Sequence, residues 1–260
     1  MRDVDLRYLV AAETDKGDYK AINQDSVLVR HGMAGDTEVL MAIVCDGMGG
    51  LDLGELASAA VIKEFDKWFD ESLPYEFENL AMNIIGAKWA LMLKEANVCI
   101  SDYAKRNELM LGTTFTGILF VGSQYVVAHV GDSRLYLIDD DIAQLTKDHT
   151  FIARELRKGT MTLEEAMKDK RRNLLLQCVG ASEKIEPEVF MGRVHEACYM
   201  LCSDGLRHKV TEDELHKAFA YEDMTDKKVM SSSCKKIITL NRERKEKDNI
   251  SVILIKAFED

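Results

Sequence analysis

Short apolar runs that stop abruptly at an aspartate are the feature of this sequence that most limits its fold. The clearest is Val39–Cys45, which is rich in branched residues and is followed by Asp46, Gly47, Gly49 and Gly50. Such a run predicts a buried β-strand, and the glycines predict a tight turn that leaves the backbone open to a ligand. We therefore expect Asp46 to stand at the end of a rigid strand, partly removed from solvent.

Four other aspartates occupy similar positions. Asp132 and Asp204 follow the apolar runs VVAHVG and YMLCS, whereas Asp25 and Asp248 precede the runs SVLV and ISVILI. In antiparallel sheets the end of one strand lies beside the start of the next, so all five carboxylates can meet at one edge. Carboxylates gathered in this way repel one another unless cations neutralise them. The pattern predicts a site for two or more divalent ions, which could activate water for attack on a phosphoryl group.

The order of the predicted elements indicates an α+β protein. Three strands precede two helices, Gly54–Phe69 and about Glu76 to Lys105, and four strand-like runs between positions 112 and 146 predict a β-meander. Two more strands, two more helices and a final strand follow. We expect an antiparallel β-sandwich of two sheets flanked by helices, with four layers in the order αββα.

The stretch 147–180 differs from its surroundings because it loses the strand pattern and is rich in Lys and Arg. Gly159 is a predicted helix C-cap, and Thr162 and Glu165 form a predicted capping box. We interpret this stretch as a flap on the surface. The chain has no low-complexity linker and no internal repeat, so we predict a single domain over residues 1–260.

Composition excludes several classes of partner. A formal charge of −11 and a pI near 5.1 disfavour binding to nucleic acid and to anionic lipid. The N-terminus lacks the apolar core of a signal peptide, and no run of 18 uncharged apolar residues predicts a membrane span. The six cysteines show no CxxC pair, and reduced, buried thiols are expected in the strand-like runs. We expect a cytoplasmic monomer without nucleic-acid or membrane partners.

Eight short motifs connect the aspartates along the chain. They are NQD (23–25), DGMGG (46–50), GTT (112–114), GDSR (131–134), DH (148–149), RNLLLQCVG (172–180), SDGL (203–206) and DN (248–249). In this order they resemble the metal-dependent protein phosphatases (PPM, or protein phosphatase 2C) of the compact bacterial type. The resemblance covers nearly the whole chain. It implies a helix-flanked β-sandwich and hydrolysis of phosphoserine and phosphothreonine with two or three Mn²⁺ or Mg²⁺ ions.

The resemblance also implies roles for individual residues. Asp46 would bridge two metal ions, and the carbonyl of Gly47 would bind one of them. Asp204 and Asp248 would complete the other ion's ligands. A hydroxide that bridges the two ions would then attack phosphorus directly, without a phosphoenzyme.

Further positions carry weaker implications from the same resemblance. Gln24 and Asp25 would hold waters bound to the metal ions. Asp132, together with Asp204, would form a weaker site for a third metal ion. The flap, 147–180, would lie beside the site and bear on substrate choice.

Three residues depart from the pattern of the family: Lys20, Met48 and Leu51, the last of which stands where many bacterial members have histidine. Lys20 stands where the family has a phosphate-binding arginine, three residues before NQD, and it keeps the charge of arginine but lacks its planar fork. Met48 stands where animal members have a histidine proposed as the general acid. Methionine cannot donate a proton, so a metal-bound water would have to protonate the leaving group.

Two other functions remain open from the sequence. The chain could be a non-catalytic phosphoprotein-binding module in which Lys20 disables turnover, or a hydrolase of small phosphate esters. No cysteine has the HCx5R spacing of a cysteine phosphatase, which favours water as the nucleophile. His208 has no partner at metal-ligand spacing, and we expect it in a core or surface role. The function we predict is a metal-dependent serine/threonine protein phosphatase acting on phosphorylated proteins.

Overall fold

The computed structural model describes residues 6–48, 53–77, 81–171 and 174–259, which contain ten β-strands. The strands are β1 (Leu6–Asp15), β2 (Ser26–Ala34), β3 (Thr37–Cys45), β4 (Phe115–Val121), β5 (Gln124–Val130), β6 (Arg134–Ile138), β7 (Ile142–Gln144), β8 (Glu188–Arg193), β9 (Ala197–Cys202) and β10 (Ile250–Glu259). They form two antiparallel sheets of five strands, in the orders β1-β10-β9-β6-β7 and β2-β3-β4-β5-β8.

Eight α-helices occur within the same described ranges. They are α1 (Gly54–Glu71), α2 (Leu73–Glu76), α3 (Met82–Arg106), α4 (Phe151–Lys158), α5 (Leu163–Lys168), α6 (Asp204–Arg207), α7 (Glu212–Ala218) and α8 (Lys227–Glu243). None of these helices has both the length and the apolar composition that crossing a bilayer requires.

Three layers of buried side chains hold the sheets and helices together. The middle layer lies between the two sheets and includes Leu40 and Phe120 from one sheet and Ile253 from the other. The second layer packs α1 and α3 against the β2–β8 sheet, with Phe65 and Trp89 at its centre. The third packs α7 and α8 against the β1–β7 sheet. This arrangement confirms the predicted four-layer αββα sandwich.

Strand β3 is apolar throughout because both of its faces are covered. Its even-numbered residues from Leu40 to Val44 face the layer between the sheets, and the odd-numbered residues from Met41 to Cys45 face the helices. Strands in most antiparallel sheets leave one face in solvent and alternate in polarity. A continuous apolar run such as Val39–Cys45 is therefore the pattern expected for a central strand of a sheet that is covered on both faces.

Two features of the predicted secondary structure are wrong. The four strands between positions 112 and 146 do not form one meander, because β4 and β5 belong to one sheet and β6 and β7 to the other. The chain changes sheet at Gly131, which has a φ of 113°. Tight turns and alternation show that strands exist but not which sheet each one joins. The long predicted helix also fails at its start, because α2 ends at Glu76 and α3 begins at Met82.

Local capping signals were more reliable. Thr162 and Glu165 form the predicted capping box at the start of α5, and Gly159 ends α4 with a left-handed φ of 69°. Strand β1 is longer than its apolar pattern indicates and extends to Asp15, because it pairs with β10 along its whole length. All six cysteines are free thiols, and five of them are buried.

Candidate active site

Strand pairing brings the five predicted aspartates to one edge of the sandwich. Cys45, the last residue of β3, lies opposite Ser26, the first of β2, and this register places Asp46 beside Asp25. Cys202, the last residue of β9, lies between Arg134 of β6 and Val252 of β10. The same register therefore places the residues that follow β9 next to those that precede β6 and β10. The carboxylates of four other residues act electrostatically on Asp46: Asp25, Asp204, Asp132 and Asp248.

The GTT motif fixes the backbone of Asp46. Thr114 Oγ1 accepts a hydrogen bond of 2.9 Å from the Asp46 N–H, and the Thr114 N–H donates to the Asp46 carbonyl over 2.9 Å. The hydroxyl of Thr113 donates to the same carbonyl over 3.0 Å. Asp46 therefore projects from a backbone held on both sides, which suits a metal ligand that must keep its position.

Gly47 follows Asp46 at a point where no side chain fits. A Cβ at this position would lie 2.4 Å from the carbonyl oxygen of Gln24 and 2.5 Å from that of Gly54. The Gly47 N–H donates to the Gln24 carbonyl over 3.2 Å. Glycine thus lets the turn after β3 pack directly on the segment that carries Gln24 and Asp25. Gly49 and Gly50, which the sequence assigns to the same turn, lie outside the described residues.

Asp25 is a buried carboxylate held by two serines. Its Oδ2 accepts hydrogen bonds from Ser203 Oγ over 2.8 Å and from Ser251 Oγ over 2.6 Å. Its Oδ1 is buried and has no hydrogen-bond partner among the described residues. Burial raises the pKa of Asp25 to about 7, since it outweighs the two serines, and the charges of Asp204 and Asp248 act in the same direction.

Asp46 and Asp204 influence each other electrostatically, and their pKa values shift in opposite directions. Burial, and then the charges of its acidic neighbours, raise the pKa of Asp46 well above its usual range. Burial also acts to raise the pKa of Asp204, but the hydrogen bond and charge of His208 lower it on balance. His208 Nε2 lies 3.3 Å from Asp204 Oδ2, and His208 Nδ1 lies 3.4 Å from Glu246 Oε1. Burial opposes the charge on His208, but these two carboxylates raise its pKa to about 10. His208, for which the sequence predicts only a core or surface role, thus contacts two carboxylates, one of them Asp204.

Asp132 lies at the same edge and is engaged by Arg207. One guanidinium nitrogen, Nη2, lies 3.2 Å from Asp132 Oδ2 and 3.0 Å from the Asp132 carbonyl oxygen. Burial and the charge of Asp204 raise the pKa of Asp132 to about 6, although Arg207 acts in the opposite direction.

The GDSR and DH motifs meet through an ion pair. Arg134 donates to both carboxylate oxygens of Asp148, with distances of 2.9 and 2.7 Å, and Gln144 donates to Asp148 over 2.8 Å. This bidentate pair connects β6 to the start of the flap. Burial acts to raise the pKa of Asp148, but the Arg134 hydrogen bonds lower it on balance, so Asp148 stays charged.

Lys20 and Gln24 lie beside the cluster on the loop between β1 and β2. Lys20 Nζ is 2.8 Å from Asp248 Oδ1. Burial alone would lower the pKa of Lys20, but the hydrogen bond and charge of Asp248 raise it on balance, with smaller contributions from Asp46 and Asp204. Gln24 is buried, and its side-chain amide donates to Glu55 over 3.2 Å.

Asn249, next to Asp248, anchors this loop. Its Oδ1 accepts from the Gln24 N–H over 3.0 Å, and its Nδ2 donates to the carbonyls of Lys16 and Ile22 over 2.9 and 3.1 Å. The asparagine of the DN motif therefore positions the loop that carries Lys20 and Gln24 against the start of β10.

A cleft of about 630 Å³ opens beside the carboxylates. It is lined by Asp132, Asp248 and cationic residues, together with Ile152 and Leu156 of α4 in the flap. Arg171 in the flap bonds to Asp169 through 2.7 and 3.0 Å contacts and lies over the ring of Phe151. Its guanidinium is thus already engaged within the flap.

Comparison with known proteins identifies the family. The family model described as Protein phosphatase 2C matches residues 18–249. This chain belongs to the protein phosphatase 2C family. The serine/threonine phosphatase stp of Listeria innocua is 32% identical over 248 residues, which cover 93% of each chain. The serine/threonine protein phosphatase PstP of Mycobacterium tuberculosis is 31% identical over 253 residues, 96% of this chain and 44% of PstP.

Solved structures of phosphatases share the fold. The Staphylococcus aureus serine/threonine phosphatase Stp1 superimposes with a TM-score of 0.83 and 26% identity, covering 100% of this chain and 98% of Stp1. The catalytic domain of PstP in complex with two manganese ions superimposes with a TM-score of 0.73 and 28% identity, covering 98% and 100%. The two five-stranded sheets with flanking helices are therefore the architecture of this phosphatase family.

A second group of possible metal ligands in this phosphatase 2C chain lies behind the Gly131 turn. Nitrogen or oxygen atoms of His129, His149 and Glu188 lie within 4.8 Å of one another. His149 Nδ1 accepts from the Gly131 N–H over 3.2 Å, so in the neutral ring the proton is on Nε2. Because a protonated ring nitrogen cannot bind a metal, this tautomer favours a structural role for the group.

Several contacts of the site were not predicted from the sequence. Ser251 lies inside an apolar strand, and nothing in the sequence around it indicates that it bonds to Asp25. Arg207 and His208 follow Asp204 within one helical turn, and the spacing of four residues between Asp204 and His208 is typical of a side-chain pair on a helix. That spacing could have predicted the Asp204–His208 contact. Glu55 is recognisable only as an acidic residue in the first turn of α1.

Proposed function

We propose that this protein is a Mn²⁺- or Mg²⁺-dependent serine/threonine protein phosphatase, a hydrolase that acts on phosphorylated protein substrates. The observation that carries the proposal is the cluster of five carboxylates beside an open cleft. Burial and mutual repulsion raise the pKa of Asp46, so its charged form requires a cation nearby. The names of the relatives and the two manganese ions in the PstP structure support the same conclusion.

The residues present fit divalent ions. The donors at this edge are carboxylate and backbone oxygens, which Mn²⁺ and Mg²⁺ prefer. Oδ1 of Asp25 is buried without a hydrogen-bond partner in the described chain, as expected of an acceptor that faces a metal-bound water. In this proposal Asp46, the Gly47 carbonyl, Asp204 and Asp248 hold two ions. When bound, the ions lower the pKa of water and neutralise charge on the phosphoryl oxygens.

Other residues position the reactants around this centre. Asp25 is immobilised by Ser203 and Ser251, so its free oxygen can orient a water molecule. Lys20 provides a positive charge at the rim, within reach of Asp248, and can bind a phosphoryl group electrostatically. Met48 offers no proton, so the leaving alkoxide is protonated from water and not from this side chain.

The cleft indicates how a protein substrate would approach. It is about 630 Å³ in volume and combines Arg207, Lys209 and Lys247 with the apolar side chains of Ile152 and Leu156. Cationic groups beside the carboxylates attract the dianionic phosphate and acidic residues near it. A phosphorylated peptide segment fits this combination better than nucleic acid does, because the chain as a whole carries a formal charge of −11.

The test is phosphate release from a panel of phosphoserine and phosphothreonine peptides, with Mn²⁺, with Mg²⁺ and with EDTA. We expect activity only with metal, and a loss of at least about 100-fold in Asp46→Asn. Asp36→Asn, in the exposed turn between β2 and β3, is the matched control and should retain activity. Unchanged turnover in Asp46→Asn would reject the assignment of that residue. Binding of phosphopeptide without release would favour the binding module, and faster release from sugar phosphates or nucleotides would favour a small-ester hydrolase.

A further inference from the structure

Asp132 is a buried carboxylate whose charge is matched by a protein cation. Arg207 and Asp132 have side-chain exposures of only 17% and 14%, and their closest charged atoms are 3.2 Å apart. The second contact of Arg207, at 3.0 Å, is with the backbone carbonyl of Asp132. The guanidinium is therefore fixed by two acceptors of one residue and does not depend on a single surface ion pair.

The position of Arg207 is set by the same helix that carries Asp204. Helix α6 spans only Asp204–Arg207, and the carbonyl of Leu206 accepts a hydrogen bond of 2.9 Å from Asn241 of α8. Leu206 is fully buried. Packing thus holds the end of this short helix, and the guanidinium starts from a backbone that is anchored beside Asp204.

Asp148 is a second carboxylate near Arg207, but Arg134 already supplies its hydrogen bonds. The charge of Arg207 also acts on Asp148, but Nε and Nη2 of Arg134 already donate to the two carboxylate oxygens of Asp148. Asp148 and Asp132 are therefore each paired with a different arginine, Arg134 and Arg207 respectively. Arginine keeps its positive charge at neutral pH, so the cation beside Asp132 is permanent.

We propose that Arg207 takes the place of a third metal ion at Asp132, so that this chain binds two divalent ions and not three. The inference rests on the proposed phosphatase centre, in which Asp132 and Asp204 would otherwise share a third, weaker ion. A divalent ion at Asp132 would have to displace the guanidinium and remain close to its charge, and like charges in a partly buried site repel strongly. The two ions assigned to Asp46, Asp204 and Asp248 do not meet this obstacle.

Counting bound metal tests the proposal without an activity assay. The protein is equilibrated with a range of Mn²⁺ concentrations by dialysis, and bound manganese per chain is measured by elemental analysis. We expect two ions in the wild type and two in Asp132→Asn. Arg207→Met should bind one additional ion, and the double variant Arg207→Met/Asp132→Asn should return to two. Lys209→Met removes a charge from the same cleft without a contact to Asp132, and it should stay at two.

The outcomes separate this inference from the phosphatase proposal. Three ions in the wild type that fall to two in Asp132→Asn would overturn the role of Arg207 but leave the phosphatase centre intact. A count of two in a folded Arg207→Met chain would also overturn it, with far-ultraviolet circular dichroism as the check on folding. Asp132→Asn decides the question independently if Arg207→Met does not fold. A wild type that binds no manganese at all would reject both proposals.

Discussion

The hydroxyl of Ser251 lies 2.6 Å from Oδ2 of Asp25, although the two residues are 226 positions apart in the sequence. Ser203 donates to the same oxygen over 2.8 Å, and the Ser251 N–H donates to Ser203 Oγ over 3.0 Å. Three strand ends are thereby connected through one carboxylate oxygen. The other oxygen of Asp25 has no hydrogen-bond partner among the described residues, and the same two contacts fix its direction.

Removing the Ser251 hydroxyl should weaken metal binding without unfolding the protein. Ser251→Ala deletes one of the two hydrogen bonds that orient Asp25, and loss of such a supporting contact typically costs about 10-fold to 100-fold in metal affinity. We expect at least about a tenfold weaker Mn²⁺ affinity by calorimetric titration. Ser231→Ala, which removes a 2.6 Å hydrogen bond to Glu13 away from the site, is the control and should bind Mn²⁺ as the wild type does. Equal affinities in the two variants would contradict this role of Ser251.

Lys20 should affect the binding of substrate more than its turnover. In the structure its ammonium group pairs with Asp248, a predicted metal ligand, and so lies at the rim where a phosphoryl group would enter. If Lys20 contacts the phosphate in the ground state, Lys20→Arg adds a planar fork and lowers KM more than it raises kcat, whereas Lys20→Met raises KM. Steady-state kinetics on one phosphopeptide at saturating Mn²⁺ measures both constants. An unchanged KM in both variants would show that Lys20 does not contact substrate.

Asp46→Asn should stabilise the protein when metal is absent. Burial, and then the charges of neighbouring carboxylates, raise the pKa of Asp46, and the variant replaces this carboxyl with a group that does not ionise. In EDTA we expect a rise in Tm of at least about 2 °C, which corresponds to roughly 1 kcal/mol in a chain of this size. Added Mn²⁺ should raise the Tm of the wild type and should have much less effect on the variant. A lower Tm for the variant in EDTA would show that the carboxyl of Asp46 does not destabilise the folded protein in the absence of metal.

Much of the site was accessible from the sequence because its parts lie at strand boundaries. Asp46 follows an unbroken apolar run, Asp25 directly precedes one, and Asp248 precedes another with only Asn249 between, so antiparallel pairing is enough to predict their convergence. The assignment of sheets was not accessible in this way. Whether β6 pairs with β5 or β9 depends on the turn at Gly131, where the chain leaves one sheet for the other.

Most of the residues that contact the aspartates could not be predicted from the sequence. Ser251 has the appearance of one small polar residue in an apolar strand, and Arg207 that of one more cation on an acidic protein. Their roles depend on distances across 226 and 75 positions, respectively. Local pattern cannot supply such distances, whereas the i, i+4 relation of Asp204 and His208 is local and was predictable.

Gly205 should tolerate no side chain because α6 packs on the backbone of the DN motif. A Cβ at this position would lie 2.0 Å from the carbonyl oxygen of Asn249 and 3.5 Å from Cβ of Asp248. Gly205→Ala must therefore move Asp204 away from Asp248, and we expect weaker Mn²⁺ binding together with a loss of stability of about 2 kcal/mol or more. Gly32→Ala is the control, because nothing lies within 4 Å of the added carbon. Urea unfolding and manganese titration measure the two effects, and wild-type values for Gly205→Ala would show that the two segments are not in contact.

His129 should make the folded protein less stable in mild acid. It is fully buried, and burial, followed by the charge of His149, lowers its pKa to about 3, while its Nδ1 lies 2.9 Å from Thr116 Oγ1. The unfolded chain binds a proton near pH 6.5 and the folded chain does not. Stability from this residue is therefore fully present above pH 6.5 and is lost as the pH falls toward 3.

The variant His129→Asn isolates this effect, since asparagine keeps an N–H that can donate to Thr116 but does not titrate. Between pH 7 and pH 5 the wild type should lose about 2 kcal/mol relative to the variant, at about 1.4 kcal/mol for each pH unit below 6.5. Urea unfolding in EDTA at both pH values measures the difference, and titrating groups distant from His129, such as Asp25, contribute equally to both proteins. A difference in unfolding free energy that does not change with pH would mean that His129 can take up a proton without unfolding.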